Sequence, residues 1–335
     1  MMAVSNKELF QKLEKLAREN NRVRVVLVYN PRSSKAKKVE EGVINPFRSQ
    51  IEKGSFPLTL AKYEVKPTNV DDNALQLSKL LVDGDVVLTA GGDGTATIGL
   101  NGAMLSDKII YFYALPFGNF NDMPRALRKA ADPERKIYPL EALVNGKHYR
   151  YAACYFTIGM FAESTEIFDK PAQRKHLQKG KKSLIYSVRQ LAGWYFKNKK
   201  RDFIPNFKLE RKIVAWKRDG QFLSSPKVVE AETKDISDYM AVNGVSVAKV
   251  MRGGEWYTTR SEFLSTTRVL TKFFKLVGFM LKSILFGIPG KLSVNDKLIF
   301  DKPAEIEIQA EGEYCRLTNV SEIEIRKTGK YLNIL

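Results

Sequence analysis

The chain has few of the residues that build metal and redox centres. Cysteine and histidine occur only twice each, as Cys154, Cys315, His148 and His176. None of these has the close spacing of a zinc cluster, and the two cysteines are too few for a disulfide scaffold. The expectation is a pair of buried free thiols, the alternative being one disulfide. Long apolar runs are also missing. The least charged stretch, Val86 to Ser106, contains Asp93 and is broken by Gly91, Gly92, Gly94, Gly99 and Gly102. The segment 269–288 is interrupted by Lys272, Lys275 and Lys282. Neither reads as a membrane span. In the second segment Phe273, Leu276, Val277, Met280, Leu281, Ile284 and Leu285 follow helical spacing. They predict a helix with one face on a core, the alternative being a helix lying on a membrane. The first twenty residues carry Lys7, Glu8, Lys12, Glu14, Lys15, Arg18 and Glu19. That is a charged amphipathic helix with Phe10, Leu13, Leu16 and Ala17 on its apolar side, and not a signal peptide.

Acidic residues are in short supply. Against 55 lysines and arginines stand 37 aspartates and glutamates, a formal charge of +18. The surplus favours an anionic partner: a membrane surface, a nucleic acid or a phosphorylated small molecule. No zinc-finger or RNA-binding signature accompanies it, so nucleic acid is not expected. Arg174 to Lys182 and Lys197 to Arg201 are the densest basic stretches, and Trp194, Tyr195 and Phe196 lie between them. Basic residues flanking aromatics suit an anionic bilayer surface, or alternatively a solvated face with a packed aromatic.

What the chain does have is a regular alternation of strand and helix patterns. Val23 to Tyr29 reads as a buried strand and runs into the turn Asn30-Pro31-Arg32-Ser33-Ser34. A helix is expected from Ala36 to Ile51, a strand from Leu58 to Val65, and a helix from Val70 to Leu81 capped by Thr68 or Asn69. Val86 to Ala90 and Ile109 to Leu115 are the third and fourth strands. The third feeds Gly91-Gly92-Asp93-Gly94-Thr95, which opens a helix from about Ala96 to Leu105. Glycines there allow positive φ and close backbone approach, the helix start offers amides to an anion, and Asp93 suits Mg²⁺ between phosphate oxygens. Thr95 caps the helix or bonds a phosphate. A third polar turn runs from Pro116 to Asp122. In a parallel sheet all three turns fall at the carboxyl ends of strands, where ligands bind. After about Asn145 the pattern changes to alternating segments at 149–157, 207–216, 238–245, 297–300, 305–309 and 321–326. Lys170 to Trp194 and 269–288 are the helices expected among them. The fold class is therefore α/β, with an N-terminal helix at 1–22, a doubly wound domain at 23–144 and a β-rich domain at 145–335.

Three of these motifs, in this order, resemble the diacylglycerol kinase-like lipid kinase superfamily, which includes sphingoid kinases and is related to NAD kinases. Asn30 to Ser34 is similar to its N-P-x-S-G, and Gly91 to Thr95 matches its G-G-D-G-T. Pro116-Phe117-Gly118-Asn119-Phe120-Asn121-Asp122-Met123-Pro124-Arg125 is similar to P-x-G-T-x-N-D-x-A-R. Thr68 resembles a family threonine near the nucleotide, Ile158 to Ala162 its G-x-D-A with Phe161 in place of aspartate, Lys182 to Tyr186 the basic helix start that follows, and Glu311-Gly312-Glu313 its late D-G-E. Asn119 replaces a threonine near phosphate, Ser34 a glycine, and Thr97 a common asparagine. Arg260 to Leu264 stands roughly where the family's D-G-x-L-D metal segment would fall.

The resemblance implies ATP-dependent phosphorylation of a lipid hydroxyl, diacylglycerol-like or sphingoid-like. It implies an active site in the cleft between domains, with the last strand or two returning to the first domain. Asn30, Ser33, Thr68, Gly91, Gly92, Gly94, Thr95 and Asn119 would hold ATP, and Asp93 and Asp122 would hold Mg²⁺. Glu313 would be the general base, with Asp93 the other catalytic residue and Glu311 the alternative base. Each has a structural reading beside it: Asn121 and Asp122 as a helix cap, Glu-Gly-Glu as an ordinary hairpin turn. The implied setting is cytoplasmic, peripherally membrane-associated, with a homodimer left open. The competing readings are a kinase of a soluble substrate such as NAD, and a non-catalytic basic binding protein of the same fold.

Overall fold

The computed structural model describes residues 2–118, 123–124, 127, 136–169, 182–198, 203–216, 222–228, 231–232, 236–243, 264–270, 278 and 291–335. They form two domains, one of Met1–Tyr138 with Gly329–Leu335 and the other of Pro139–Thr328.

The first domain opens with helix α1 (Met2–Asn20). Leu9, Leu13, Leu16 and Ala17 share one face of it and are buried against the sheet. Strand β1 (Val23–Tyr29) follows. The single helix expected over 36–51 is instead α2 (Ala36–Val39), a π turn over Glu40–Ile44, and α3 (Asn45–Lys53). Pro46 explains the wide turn: it has no N–H for the carbonyl four residues back, and its ring would collide with that carbonyl. Next come β2 (Leu58–Glu64), α4 (Val70–Ser78), β3 (Val86–Gly91), α5 (Asp93–Leu105), β4 (Tyr111–Pro116) and β5 (Lys136–Ile137). The sheet order is β2-β1-β3-β4, all parallel. Beyond β4 the C-terminal strand Leu332–Ile334 pairs parallel with β4 and antiparallel with β5.

Helix α5 lies unusually close to its neighbours. A Cβ on Gly99 would come within 2.2 Å of Thr89 Cγ2, and one on Gly102 within 2.6 Å of Leu77 Cδ2. Glycine at these two positions lets the helix carrying Asp93 seat directly on β3 and α4.

The second domain is an antiparallel sheet. Its described elements are β6 (Leu140–Val144), β7 (Lys147–Ala152), β8 (Tyr155–Gly159), α6 (Met160–Asp169), α7 (Lys182–Asn198), β9 (Phe207–Trp216), β10 (Phe222–Val228), β11 (Ala231–Glu232), β12 (Ile236–Asn243), β13 (Leu264–Leu270), β14 (Lys291–Ala310) and β15 (Glu313–Lys327). Strand order runs β13-β12-β8-β14-β15-β6-β7, with β9 beside β14 and both β10 and β11 on β9.

Several sequence expectations change here. The sequence reading put the domain boundary after residue 144, but β6 pairs with β15 and belongs to the second sheet. Residues 149–157 are two strands, parted at Ala153 and Cys154. Residues 297–300 and 305–309 are one strand, β14, whose register shifts between Ile299 and Ala304. Pro303 lies within that shift and has no N–H for the ladder. Val269 and Leu270 end strand β13, Gly278 is helical, and the rest of the predicted 269–288 helix lies outside the described residues. Cys154 is buried as expected, but Cys315, near the start of β15, is only partly buried.

Candidate functional site

The three polar turns converge within the first domain. At the end of β1, the Arg32 N–H donates to Asn30 Oδ1 at 3.0 Å and the Ser33 N–H to the Asn30 carbonyl at 3.1 Å. Asn30 therefore shapes its own turn, as short polar side chains do. The Ser33 carbonyl then accepts the Ala36 N–H at 3.0 Å, where α2 begins. Arg32 Nη2 donates to the Val65 carbonyl at 3.1 Å, past the end of β2.

At the end of β3, Gly92 is the N-cap of α5, extended at φ −86 and ψ −172, with no side chain to bond the first helical amides. Helix α4 differs: there Asn69, not Thr68, is the cap, accepting the Asp72 N–H at 2.7 Å. A helix start without a side-chain cap leaves its first amides and its dipole to a ligand, and an anion suits both. The expected positive φ is not found at Gly91, Gly92 or Gly94, which are absent from the left-handed glycines. Close approach is what needs glycine. A Cβ on Gly91 would lie 2.4 Å from Thr95 Oγ1, and one on Gly92 would lie 3.3 Å from Gly118 Cα. Thr95 and the other four residues of the motif are partly exposed, so a ligand can reach them.

The third turn is tied to the other two. The Phe117 N–H donates to the Gly91 carbonyl at 3.0 Å, and the Met123 N–H to Asp93 Oδ1 at 3.4 Å. Lys35, from the start of α2, donates its ammonium to the Gly118 carbonyl at 2.7 Å. Burial, helped by the charge of Lys38, pushes the Lys35 pKa down. An ammonium thus sits on the backbone that packs against Gly92. In the sequence Lys35 directly follows the first turn. Its adjacency to the turn was the available signal, but its reach across 83 residues was not. Asn119, Asn121 and Asp122 lie outside the described residues, between Gly118 and Met123. Thr68 is exposed, and its hydroxyl accepts from the buried Asn73 side chain at 2.9 Å.

Glu311 and Glu313 belong to the second domain. Glu311 and Gly312 form the turn between β14 and β15, with Ala310 facing Glu313. Glu311 is 2% exposed, and its Oε1 accepts the backbone N–H groups of Cys154 and, at 3.3 Å, Tyr155. Glu313 begins β15 and is half-buried.

Residues 24–154 match the family of the diacylglycerol kinase catalytic domain. This segment is similar to that catalytic domain. All three turns lie inside it; the matched stretch is well under half of the chain. Solved structures resemble the chain almost end to end. One is a diacylglycerol kinase from Bacillus anthracis str. Sterne, at 17% identity and a TM-score of 0.54, covering 92% of this chain and 96% of that one. Another protein, provisionally named a diacylglycerol kinase in the same organism, is 16% identical with a TM-score of 0.54, covering 93% of this chain and 97% of that one. Likeness at such identity speaks for the fold. No curated protein matches the chain.

The first domain also meets a simple test for Mg²⁺. Among the described residues no cluster of three or more histidine, cysteine or acidic side chains could hold a metal. Mg²⁺ does not need one: it keeps several waters and commonly takes one or two carboxylates plus substrate phosphates. Asp93, partly exposed at the helix start, supplies a carboxylate of that kind.

Proposed function

We propose that the protein is an ATP-dependent kinase that phosphorylates a lipid hydroxyl, diacylglycerol-like or sphingoid-like. The observation that carries this reading is the uncapped glycine turn at the start of α5, hydrogen-bonded to the turn after β4. In the reaction the substrate hydroxyl oxygen bonds to the γ-phosphorus as the bond from that phosphorus to ADP breaks, and the hydroxyl proton leaves to a base. Positioning and charge neutralisation supply most of the catalysis in such transfers. Gly91, Gly92, Gly94 and Thr95 would hold phosphate oxygens through backbone amides and the threonine hydroxyl. Asn30, Ser33 and Thr68 would line the nucleotide side, with Asn119 on the other. Asp93, with Asp122, would hold Mg²⁺, which when bound neutralises phosphate charge. Glu313 would take the proton. A lipid acceptor implies contact with a membrane surface, and the chain's positive charge favours an anionic one.

The test is transfer from labelled ATP, with Mg²⁺, to a total lipid extract in mixed micelles. A labelled lipid is expected from the wild type and none from Asp93→Ala, whose circular dichroism should match the wild type. Undiminished labelling by Asp93→Ala would remove the phosphate-site argument. ATP binding with no labelled lipid would point to a soluble acceptor or a non-catalytic role.

A further inference from the structure

The end of β2 carries a carboxylate that the mechanism above does not use. Parallel pairing aligns Glu64, Tyr29 and Ala90 in one row across β2, β1 and β3. The Tyr29 hydroxyl donates to Glu64 Oε1 at 2.7 Å. Tyr29 is buried in the domain core, whereas Glu64 is exposed. Burial, and then the bond to Glu64, pushes the Tyr29 pKa up to about 12, so the phenol stays a neutral donor at physiological pH. Among the described residues no lysine, arginine or histidine forms a salt bridge with Glu64, although the chain's net charge is +18. A carboxylate held by one neutral donor has further lone pairs for other donors.

Its place in the sheet says which donors. Ala90 immediately precedes the phosphate turn at Gly91. Neighbouring strands lie about 4.8 Å apart, so Glu64 stands about 10 Å across the sheet from that turn. That is comparable to the span from the outer phosphates of a nucleotide to its ribose. The Asn30 turn lies between, on β1, and Arg32 reaches the Val65 carbonyl beside Glu64. Dinucleotide-binding doubly wound folds use an acidic residue about 20 residues after the phosphate turn for the ribose 2′-hydroxyl; Glu64 instead precedes its turn, two strands away, and the analogy is one of chemistry. We propose that Glu64 accepts a hydrogen bond from the ribose diol of the bound nucleotide, and that Tyr29 positions it. The inference rests on the nucleotide part of the reading above and adds how the sugar is recognised.

Binding of ADP, 2′-deoxy-ADP and 3′-deoxy-ADP with Mg²⁺ tests it by calorimetry, without any lipid. The wild type should lose about tenfold in affinity for at least one deoxy analogue, the effect of a hydrogen bond to a charged acceptor. Glu64→Ala should bind ADP about as weakly as the wild type binds that analogue, and should no longer discriminate. Tyr29→Phe, which keeps the buried ring, should retain ADP binding with reduced discrimination. Equal binding of all three nucleotides by the wild type, or full discrimination by Glu64→Ala, overturns the proposal. Absence of ADP binding by the wild type removes it together with the nucleotide site. ADP binding without lipid phosphorylation removes the lipid-kinase reading alone, and the deoxy analogues still decide the role of Glu64.

Discussion

Two glutamates one glycine apart have different surroundings. Glu311 has φ 53 and Gly312 has φ 84, the left-handed pair of a tight two-residue hairpin. A glutamate rarely adopts that conformation, and its hydrogen bonds to the Cys154 and Tyr155 amides offset the strain. Glu311 thus fixes the start of β8, and Glu313 is the carboxylate proposed above as the base. Glu313→Gln should lower kcat while KM for ATP and the melting temperature stay close to wild type. Glu311→Ala should lower the melting temperature, since it strands two backbone donors at about 1–3 kcal/mol. If Glu311→Gln alone, at unchanged melting temperature, lowers kcat as far as Glu313→Gln, the base is Glu311. The sequence offered both a hairpin and a functional reading of Glu-Gly-Glu. The hairpin is there, but which carboxylate is buried depends on the distant amides of Cys154 and Tyr155, and nothing local in the sequence reports that.

At the scale of elements, the strand–turn–helix alternation was legible because buried parallel strands read as continuous apolar runs bounded by turn residues. β1 and β3 follow their predicted spans to within a residue. What was not legible was how closely helix α5 sits. Gly99 and Gly102 looked only like interruptions of an apolar run, yet each faces a side chain from another element, Thr89 or Leu77. Gly99→Ala should therefore destabilise the protein by at least about 1–3 kcal/mol, the usual cost of overpacking. Gly193 in α7 is the control: a Cβ there meets nothing within 4 Å. Gly193→Ala should be neutral or stabilising by up to about 1 kcal/mol, through helix propensity and a less free unfolded chain. Urea unfolding of both variants distinguishes them, and equal midpoints would show that α5 can withdraw from the sheet without cost. The π turn before Pro46 and the register shift at Pro303 belong to the same scale. The expected helix over 36–51 ran unbroken through Pro46, and the form that each disturbance takes, a widened helix turn in one case and a strand irregularity in the other, is set by the surrounding element.

At the scale of the whole molecule, a charge of +18 has to be reconciled with a lipid acceptor. No helix among the described residues is long and apolar enough to cross a bilayer. Contact with lipid would then be made at the surface, by charge together with a few apolar side chains. Helix α7 offers a candidate point: Phe196 is 53% exposed, next to the exposed Lys197, while its neighbour Tyr195 is buried in the core. Arg189, on the same helix, is also exposed. The basic run 174–181 and residues 199–201 lie outside the described residues, so their contribution is carried by charge alone. Attraction of this kind is screened as the Debye length falls from about 8 Å at 0.15 M salt to about 3 Å at 1 M. The protein should therefore co-sediment with phosphatidylglycerol vesicles at 0.15 M salt, largely detach at 1 M, and bind phosphatidylcholine vesicles weakly. Phe196→Ser should weaken the first binding severalfold without changing the melting temperature, because an interfacial aromatic contributes apolar burial that salt does not screen. Binding that ignores both salt and lipid charge would mean the positive surface serves another anion, and binding indifferent to Phe196 would move the docking point off α7.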